Sequence, residues 1–169
     1  MHEVDVFLGL GSNVGSKIKT VQEAILQLST LDNTRFIKAS PLYQTSPVSD
    51  IEQEDFINAA VHLKTKLSLE ELFATTEKIE KNLGKIAKKK NEPRPIDIDI
   101  LFFGNKQYHL PTLTVPHCMW SKRLFVLTPL SDIAQEITLK EKGKVIKYNM
   151  NHLLENFINV NNEIIKRVL

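Results

Sequence analysis

Apolar and polar residues alternate along several short segments of this chain, and a period of two is typical of a β-strand with one buried face. The clearest alternation covers residues 56–64. A β-branched and aromatic run over residues 4–10 predicts an earlier strand that enters a glycine-containing turn. Residues 35–44 predict a second strand, whose break at Pro41 is typical of an edge position or a bulge. A fourth strand is predicted over residues 96–103.

Two other segments carry apolar residues every three or four positions, which is the spacing of one helix face. The first covers residues 18–28. The second begins at Ser68, which forms with Glu71 a capping box that satisfies free backbone N–H groups at a helix start. Gly84 is the natural end of this second helix.

The resulting order of strand, helix, strand, strand, helix, strand predicts a ferredoxin-like β-α-β-β-α-β sandwich of the α+β class over residues 1–103. A C-terminal extension of short helices and a small hairpin follows. Its predicted pieces are a hairpin turn at Gly104 into a strand over 107–110, short helices over 121–134 broken by Pro129, a hairpin about Lys142–Gly143 and a terminal helix over 151–160. No linker separates these pieces, so we expect one domain over residues 1–169.

Composition narrows the class of protein. The chain has 169 residues, 42% of them hydrophobic, and a formal net charge of +2, which argues against a general nucleic-acid or membrane surface. The single cysteine, Cys118, excludes an intramolecular disulfide and suits a reducing compartment. No targeting signal and no apolar run of membrane-spanning length is visible, so we expect a cytoplasmic location.

The segment Pro93–Gly104 carries the most specific chemistry. Asp97 and Asp99 lie two residues apart on a predicted strand, so their side chains share a face with Cα atoms about 6.5–7 Å apart. Two carboxylates at this spacing can bind a divalent cation or bracket a pair of cations. Two solvated aspartates on an open strand face are the alternative. Arg94 and the upstream cations favour a site for metal and phosphate; these cations are Lys85, Lys88, Lys89 and Lys90.

Other motifs remain open between a structural and a functional interpretation. The Gly9–Gly15 turn lacks the spacing of both dinucleotide and phosphate loops, which favours a tight structural turn. His117 is either structural or, with Arg123, a donor to phosphate oxygens. Phe56 is either a core residue or, beside Asn58, a stacking plane for a flat heterocycle.

Six motifs, taken together and in this order, resemble the 6-hydroxymethyl-7,8-dihydropterin pyrophosphokinase family of folate biosynthesis, over about residues 4–130. They are Gly11-Ser12-Asn13, Tyr43-Gln44-Thr45 with Pro47, Phe56–Val61, Glu80 with Gly84, Pro93–Ile100, and Leu113–His117 with Arg123 and Phe125. The resemblance implies a magnesium-dependent transfer of the pyrophosphoryl group of ATP to the hydroxymethyl oxygen of a reduced pterin, with release of AMP. Its partners would be these small molecules, with no nucleic acid and no membrane.

The resemblance also implies roles for individual residues. Asp97 and Asp99 match the ligands of two Mg²⁺ ions, which agrees with the strand spacing. Positions that match phosphate contacts are Arg94, His117 and Arg123, and positions that line the nucleotide site are Ile100 and Thr114. Positions that match pterin contacts are Thr45, Val48, Phe56, Asn58 and Phe125.

The chain departs from the family in the loop before Arg94. Lys85 and Ala87 stand where better-studied members carry arginines, and lysine supplies charge without the bidentate fork of arginine. We expect Lys85 to act in catalysis and Lys88 to contact ATP. Which of the loop lysines replaces the arginines stays open. The loops over residues 45–55 and 85–92 are expected to close over the substrates.

Two rival functions are carried forward. One is a noncatalytic RNA-binding module, because ferredoxin-like sheets also bind RNA, although the aromatic run of an RRM domain is absent from the sequence. The other is a degenerate homologue that binds pterin without transferring to it, which the departures in the lysine loop motivate.

Overall fold

The computed structural model describes residues 2–86 and 92–169. Its first part contains β1 (Val4–Ser12), α1 (Lys17–Ser29), β2 (Thr34–Ala39), β3 (Tyr43–Thr45), β4 (Phe56–Thr65), α2 (Leu69–Asn82) and β5 (Asp97–Phe103). Its second part contains β6 (Tyr108–Leu110), β7 (Leu113–Val115), a 3₁₀ turn (Trp120–Lys122), α3 (Leu124–Ile133), β8 (Glu136–Glu141), β9 (Lys144–Asn149), α4 (Met150–Glu155) and β10 (Ile165–Arg167).

The main sheet has the predicted ferredoxin-like topology. β4 lies at its centre, and β1 pairs antiparallel with β4 on one side and with the edge strand β5 on the other. The sheet continues beyond β4 through β3 to β10, and β2 also pairs with β4. Helices α1 and α2 cover one face, where Val21, Leu28 and Leu72 join the first hydrophobic core.

The strand predicted over residues 35–44 is divided at Pro41 into β2 and β3, as its break suggested. Ser40 bridges the gap, because its backbone N–H donates to the Ala60 carbonyl and its hydroxyl accepts from the Ala60 N–H, both at 2.8 Å. β3 is covered on its outer side by β10. β3 is therefore not an edge strand, and β10 itself was missed. β2, the other half of the predicted strand, pairs only with β4 among the described strands, and its register shifts between Phe36 and Lys38, so the edge position and the irregularity occur there.

The two predicted helices are confirmed with small changes. The capping box is present, with Ser68 N–H donating to Glu71 at 2.8 Å and Glu71 N–H donating to Ser68 at 3.1 Å. α2 ends at Asn82, and Gly84 follows in the left-handed region with φ 96°. In α1 the predicted apolar stripe is wrong at Ile18, which is exposed, because the buried face is centred on Val21.

Strict alternation over residues 96–103 predicts that Phe102 faces the same side of the sheet as Ile100. The structure differs from this prediction near the end of β5. Phe7 pairs with Phe102, but Leu8 pairs with Ile100, so Leu101 is an extra residue in the strand. This β-bulge reverses the alternation after Ile100. Phe102 therefore packs with Leu101 in a second hydrophobic cluster, and Phe103 joins the first.

The second cluster lies on the face of the sheet opposite α1 and α2. It joins Leu101 and Phe102 to α3, α4 and the β8–β9 hairpin, and Trp120 meets Phe102 edge-to-face at 4.9 Å. α3 runs through Pro129 as one helix, so the predicted break there is wrong. Val126, Leu127 and Leu130 of α3 are buried in this cluster, and their packing favours a continuous helix.

The remaining extension agrees only in part with the sequence. The hairpin between β8 and β9 is confirmed, with Lys142 and Gly143 at φ 47° and 77°. The prediction of a hairpin at Gly104 is wrong, because β6 pairs with β7 rather than with β5. The terminal helix ends at Glu155, earlier than predicted. No helix in residues 2–86 and 92–169 is long and apolar enough to span a bilayer.

Candidate active site

A cleft with a volume of about 180 Å³ opens on the sheet face that carries the second cluster. The sheet forms its floor, the start of α3 forms one wall, and the loop after β3 forms another. Residues that line it include six sequence candidates: Thr45, Val48, Phe56, Asn58, Arg94 and Phe125. Asp97, Asp99 and Arg123 also line it, so one cavity joins most of the predicted metal, phosphate and pterin residues.

The glycines of β1 give the cleft its depth. Gly9 and Gly11 lie in the floor, where a side chain would occupy the cavity. A Cβ atom on Gly11 would stand 2.8 Å from Asn58 Oδ1, and one on Gly9 would stand 3.4 Å from a methyl carbon of Leu101. The first part of the predicted turn, including Gly9 and Gly11, therefore belongs to strand β1. The absence of a side chain at Gly11 leaves room for the Asn58 amide.

Asp97 is held by two cations at the charged end of the cleft. Its Oδ1 accepts from Lys85 Nζ at 2.7 Å, and its Oδ2 accepts from Arg94 Nη1 at 3.2 Å. Burial lowers the pKa of Lys85, but its hydrogen bonds to Asp97 and Glu80 outweigh this effect and raise the pKa above its usual value. Lys85 is therefore a charged partner of the predicted metal ligand.

Glu80 on α2 fixes the strand that carries both aspartates. It is only 6% exposed, and its Oε1 accepts from the Ile98 N–H at 2.6 Å, between the two acids. Its Oε2 accepts from Lys85 Nζ at 2.8 Å. Burial raises the pKa of Glu80 despite these bonds. Sequence reasoning gave Glu80 no role, although an acid beside Ile79 on the buried face of a helix is a recognisable signal.

Asp99 has a different environment from Asp97. Its side chain is exposed to the open cleft, whereas Asp97 is half-buried. Removal from bulk water and then the charges of Asp97 and Glu80 raise its pKa to about 7, against the lowering effects of Arg123 and Lys85. Asp99 has no hydrogen-bond or ion-pair partner among the described residues, so its carboxylate is available to a cation, and a bound cation would favour the charged form.

Asn13 links the charged end to the rest of the cleft, and it was missed as a site residue. Its Oδ1 accepts from the Arg94 N–H at 3.0 Å. Its Nδ2 donates to Gln53 Oε1 at 2.7 Å in the loop after β3. The same loop is held at its end by Lys17, whose Nζ donates to the Asp55 carbonyl at 2.9 Å. The turn after β1 thus positions the backbone of Arg94.

The other end of the cleft is aromatic. Asn58 is 5% exposed and donates through Nδ2 to Thr45 Oγ1 at 2.5 Å. Phe56 and Phe125 line the same space from β4 and α3. The Arg123 guanidinium lies 5.6 Å from the centre of the Phe125 ring, within the range of a cation–π contact. Two rings and an amide are thus available to a flat heterocycle.

Four residues that were predicted to contact the nucleotide are not among those that line the cleft. Ile100 is buried in the first hydrophobic core, so its side chain is turned away from the cleft. Thr114 is exposed on β7, and His117 follows the cis peptide bond of Pro116, with its Nδ1 accepting from the Met119 N–H at 3.1 Å. Lys88 lies outside the described residues.

The donor set of the cleft fits Mg²⁺. Asp97 and Asp99 offer carboxylate oxygens from one strand, and Mg²⁺ is commonly bound through one or two carboxylates together with substrate phosphates and water. No group of three or more His, Cys, Asp or Glu side chains suited to a metal occurs in the described ranges. The residues present therefore fit an ion that takes most of its ligands from a nucleotide.

Paired acids, clustered cations and an aromatic recess on one ferredoxin-like sheet define a phosphoryl-transfer enzyme for a nucleotide and a heterocycle. The sequence pattern of the 7,8-dihydro-6-hydroxymethylpterin-pyrophosphokinase (HPPK) family matches residues 7–135. The chain is 37% identical over 131 residues to the 2-amino-4-hydroxy-6-hydroxymethyldihydropteridine pyrophosphokinase of Bacillus subtilis, with 78% of each chain covered. The corresponding enzyme of Pseudomonas aeruginosa is 35% identical over 136 residues, which cover 80% of this chain and 84% of that one.

This chain therefore belongs to the HPPK family. Longer relatives match as well: the mitochondrial folate synthesis bifunctional protein of Pisum sativum is 40% identical over 129 residues, 76% of this chain, which spans only 25% of that protein. The solved HPPK-DHPS of Plasmodium falciparum has a TM-score of 0.65 at 16% identity, covering 90% of this chain and 45% of the other. This structural likeness supports the fold alone.

Proposed function

We propose that this chain transfers the pyrophosphoryl group of ATP to 6-hydroxymethyl-7,8-dihydropterin, giving the pterin diphosphate and AMP in folate biosynthesis. The hydroxymethyl oxygen forms a bond to the β-phosphorus, the bond from that phosphorus to the α,β-bridging oxygen breaks, and the hydroxyl proton passes to solvent. The observation that carries the proposal is the position of Asp97 and Asp99, which lie in one cleft with both the cations and the aromatic recess.

The aromatic recess is the proposed pterin site. Phe56 and Phe125 provide apolar ring faces for the flat bicycle, and Asn58 reads its polar edge. Thr45 already holds the Asn58 amide, so the orientation of this amide is set before the substrate arrives. Val48 would contact the pterin from the loop after β3.

The charged end is the proposed phosphate site. Arg94 and Arg123 bind and orient phosphate oxygens, and His117 would add a further donor. Lys85, ion-paired with Asp97, would move to the phosphates as they arrive. Lys88 and Thr114 are proposed nucleotide contacts, while Ile100 offers only its backbone, because its side chain is in the core.

Asp97 and Asp99 are the proposed ligands of two Mg²⁺ ions. When bound, these ions would draw charge from the triphosphate and polarise the attacking hydroxyl. Asp97 must exchange its contacts with Lys85 and Arg94 for the metal, whereas Asp99 has no hydrogen bond in the described part of the chain to give up. Closure of the loop after β3 would exclude water from the reacting groups, whereas most of the other predicted loop, residues 85–92, lies outside the described residues.

The decisive experiment mixes the protein with ATP, MgCl₂ and 6-hydroxymethyl-7,8-dihydropterin and measures AMP by chromatography. Stoichiometric AMP and pterin diphosphate are expected, and omission of either the pterin or Mg²⁺ should stop their formation. Pterin binding without AMP would identify the degenerate homologue instead. We further propose that the chain acts in the cytoplasm as one domain, which fractionation and limited proteolysis would test.

A further inference from the structure

The last part of the chain lies outside the region that the family pattern matches, which ends at residue 135. Residues 159–169, called the C-terminal strap below, run from a turn after α4 to the edge of the main sheet. They contact the segments that form two walls of the cleft, and they are not among the residues that line it. Their contacts with these walls are made mainly by backbone groups and by one buried carboxylate.

The strap begins with a turn that presents Glu163. The side chain of Asn159 closes this turn, because its Oδ1 accepts from the Glu163 N–H at 2.7 Å and its Nδ2 donates to the Glu163 carbonyl at 2.9 Å. Asn162 within the turn has a left-handed φ of 51°. The position of Glu163 is thereby set by local hydrogen bonds before it contacts the rest of the protein.

Glu163 caps α3 from a distant part of the chain. Its Oε2 accepts from the Leu124 N–H at 2.9 Å, and Arg123, the N-cap residue of α3, makes no side-chain cap of its own. A carboxylate at a helix start satisfies a free N–H group and interacts favourably with the helix dipole. Leu124 lies between Arg123 and Phe125, which both line the cleft.

The residue after Glu163 fastens the opposite wall. Ile164 donates its N–H to Ser46 Oγ at 2.8 Å and accepts from the Ser46 N–H at 2.9 Å. β10 then pairs with β3, where Ile165 lies opposite Thr45. Two consecutive residues of the strap therefore contact the start of α3 and the start of the loop after β3.

The burial of Glu163 argues against an incidental surface contact. Its side chain is 7% exposed, and its Oε1 lacks a hydrogen-bond partner within the described residues. Burial of a carboxylate is unfavourable unless its hydrogen bonds compensate for lost hydration. The observed compensation is the α3 cap, which makes the geometry of the helix start depend on this residue.

We infer that the C-terminal strap positions the pterin site, with Glu163 as a positioning residue that keeps the Arg123–Phe125 wall in register with the Thr45–Ser46 wall. The inference rests on the proposed function for the identity of the ligand. It assigns Glu163 no contact with substrate, since Glu163 does not line the cleft. Its main effect should be on pterin binding through Phe125, with only a small effect on the chemical step through Arg123, which lies in the same wall.

The test compares Glu163→Ala, Glu163→Gln and wild type in the full chain. Pterin Kd is measured by fluorescence titration with a nonhydrolysable ATP analogue, and KM and kcat are measured by AMP formation. Glu163→Ala should raise the pterin Kd and KM about fivefold, the factor that corresponds to a lost helix cap, with kcat within about twofold. Glu163→Gln keeps an acceptor for the Leu124 N–H and should remain within about twofold of wild type in Kd.

Asn149→Ala is the matched control, because Asn149 caps α4 through the His152 N–H at 2.9 Å in the same extension. It should lower thermal stability and leave the pterin Kd unchanged. If Glu163→Ala does not fold, Asn159→Ala takes its place, with the same expected rise in Kd. The inference is overturned if Glu163→Ala, or Asn159→Ala in its place, binds pterin normally, if Glu163→Gln is as impaired as Glu163→Ala, or if Asn149→Ala weakens binding equally.

Amide hydrogen exchange of the ligand-free protein separates this inference from the proposed function. Faster exchange at Leu124 and Ser46 in Glu163→Ala, but not in Asn149→Ala, is expected whatever reaction the protein catalyses. Unchanged exchange at both amides would overturn the strap's role. A wild-type protein that forms no AMP would instead refute the proposed reaction while leaving the exchange result in place.

Discussion

The two ends of the cleft are built in different ways. At the charged end, Lys85, Arg94 and Asp97 come from one short stretch of sequence and are joined by ion pairs, with Glu80 fixing the strand. At the aromatic end, the contributing side chains come from β3 and β4, which follow one another in the sequence, and from α3, which lies far from both. At the aromatic end, the hydrogen bond from Asn58 to Thr45 and hydrophobic packing position the side chains.

This difference separates two kinds of preorganisation. The cations at the charged end neutralise Asp97 and, under the proposed function, would exchange partners when metal and phosphate bind. The aromatic end needs no exchange, but it depends on the correct spacing of its walls. Changes at the charged end should therefore affect the chemical step, and changes at the aromatic end should affect binding.

The largest effect is expected at the two aspartates. Asp97→Ala or Asp99→Ala should reduce AMP formation by about 10³-fold or more, because the proposed metal loses a carboxylate ligand. Circular dichroism should show a retained fold. Asp5→Ala, which removes an aspartate on β1 paired with His62 at 2.7 Å, is the control and should keep its activity. Near-normal turnover in either site variant would refute the metal assignment.

Arg94→Ala should lower the single-turnover rate by about 10²-fold, because a positioned charge on the transferred phosphates is lost. Pterin affinity should change little. The control is Arg35→Ala, which removes an exposed arginine paired with Glu3 at 3.0 Å. An unaltered single-turnover rate, measured by rapid quench, would show that Arg94 has no part in the chemical step.

Gly11→Ala should weaken pterin binding by about tenfold, because the new Cβ would approach Asn58 Oδ1 to 2.8 Å and displace the amide. Gly9→Ala should have a smaller effect, since its Cβ would meet the flexible end of Leu101 at 3.4 Å. Fluorescence titration compares the two. Equal losses would mean that narrowing of the cleft, rather than displacement of Asn58, determines affinity.

The smallest effect concerns stability. The pKa of Asp99 is raised from 3.8 to about 7, so the folded state binds its proton more tightly and stability falls as pH rises between these values. In EDTA, Asp99→Asn should therefore be more stable than wild type at pH 8, by about 1 kcal/mol after allowance for solvent screening in the open cleft. Urea unfolding of both proteins at pH 8 and at pH 4 checks this, and the difference in stability should vanish near pH 4.

The sequence predicted the elements whose patterns are local. The alternation of β4, the capping box of α2 and the aspartates of β5 depend on neighbouring residues, and the structure agrees with all three elements. It did not predict the bulge at Leu101 or the pairing of β6 with β7, because both depend on partner strands. The helix through Pro129 likewise depends on packing in the second cluster.

By itself, the sequence determined the ferredoxin-like order of elements, the family and the set of residues proposed to carry metal and phosphate chemistry. Periodicity, helix caps and closely spaced acids are short-range patterns that can be recognised in the sequence without knowledge of the fold. Only the tertiary structure decided that Glu80 anchors the acidic strand, that Asn13 positions Arg94 and that Ile100 faces the core. It also brought Glu163 to the start of α3, a contact 39 residues apart that no local pattern encodes.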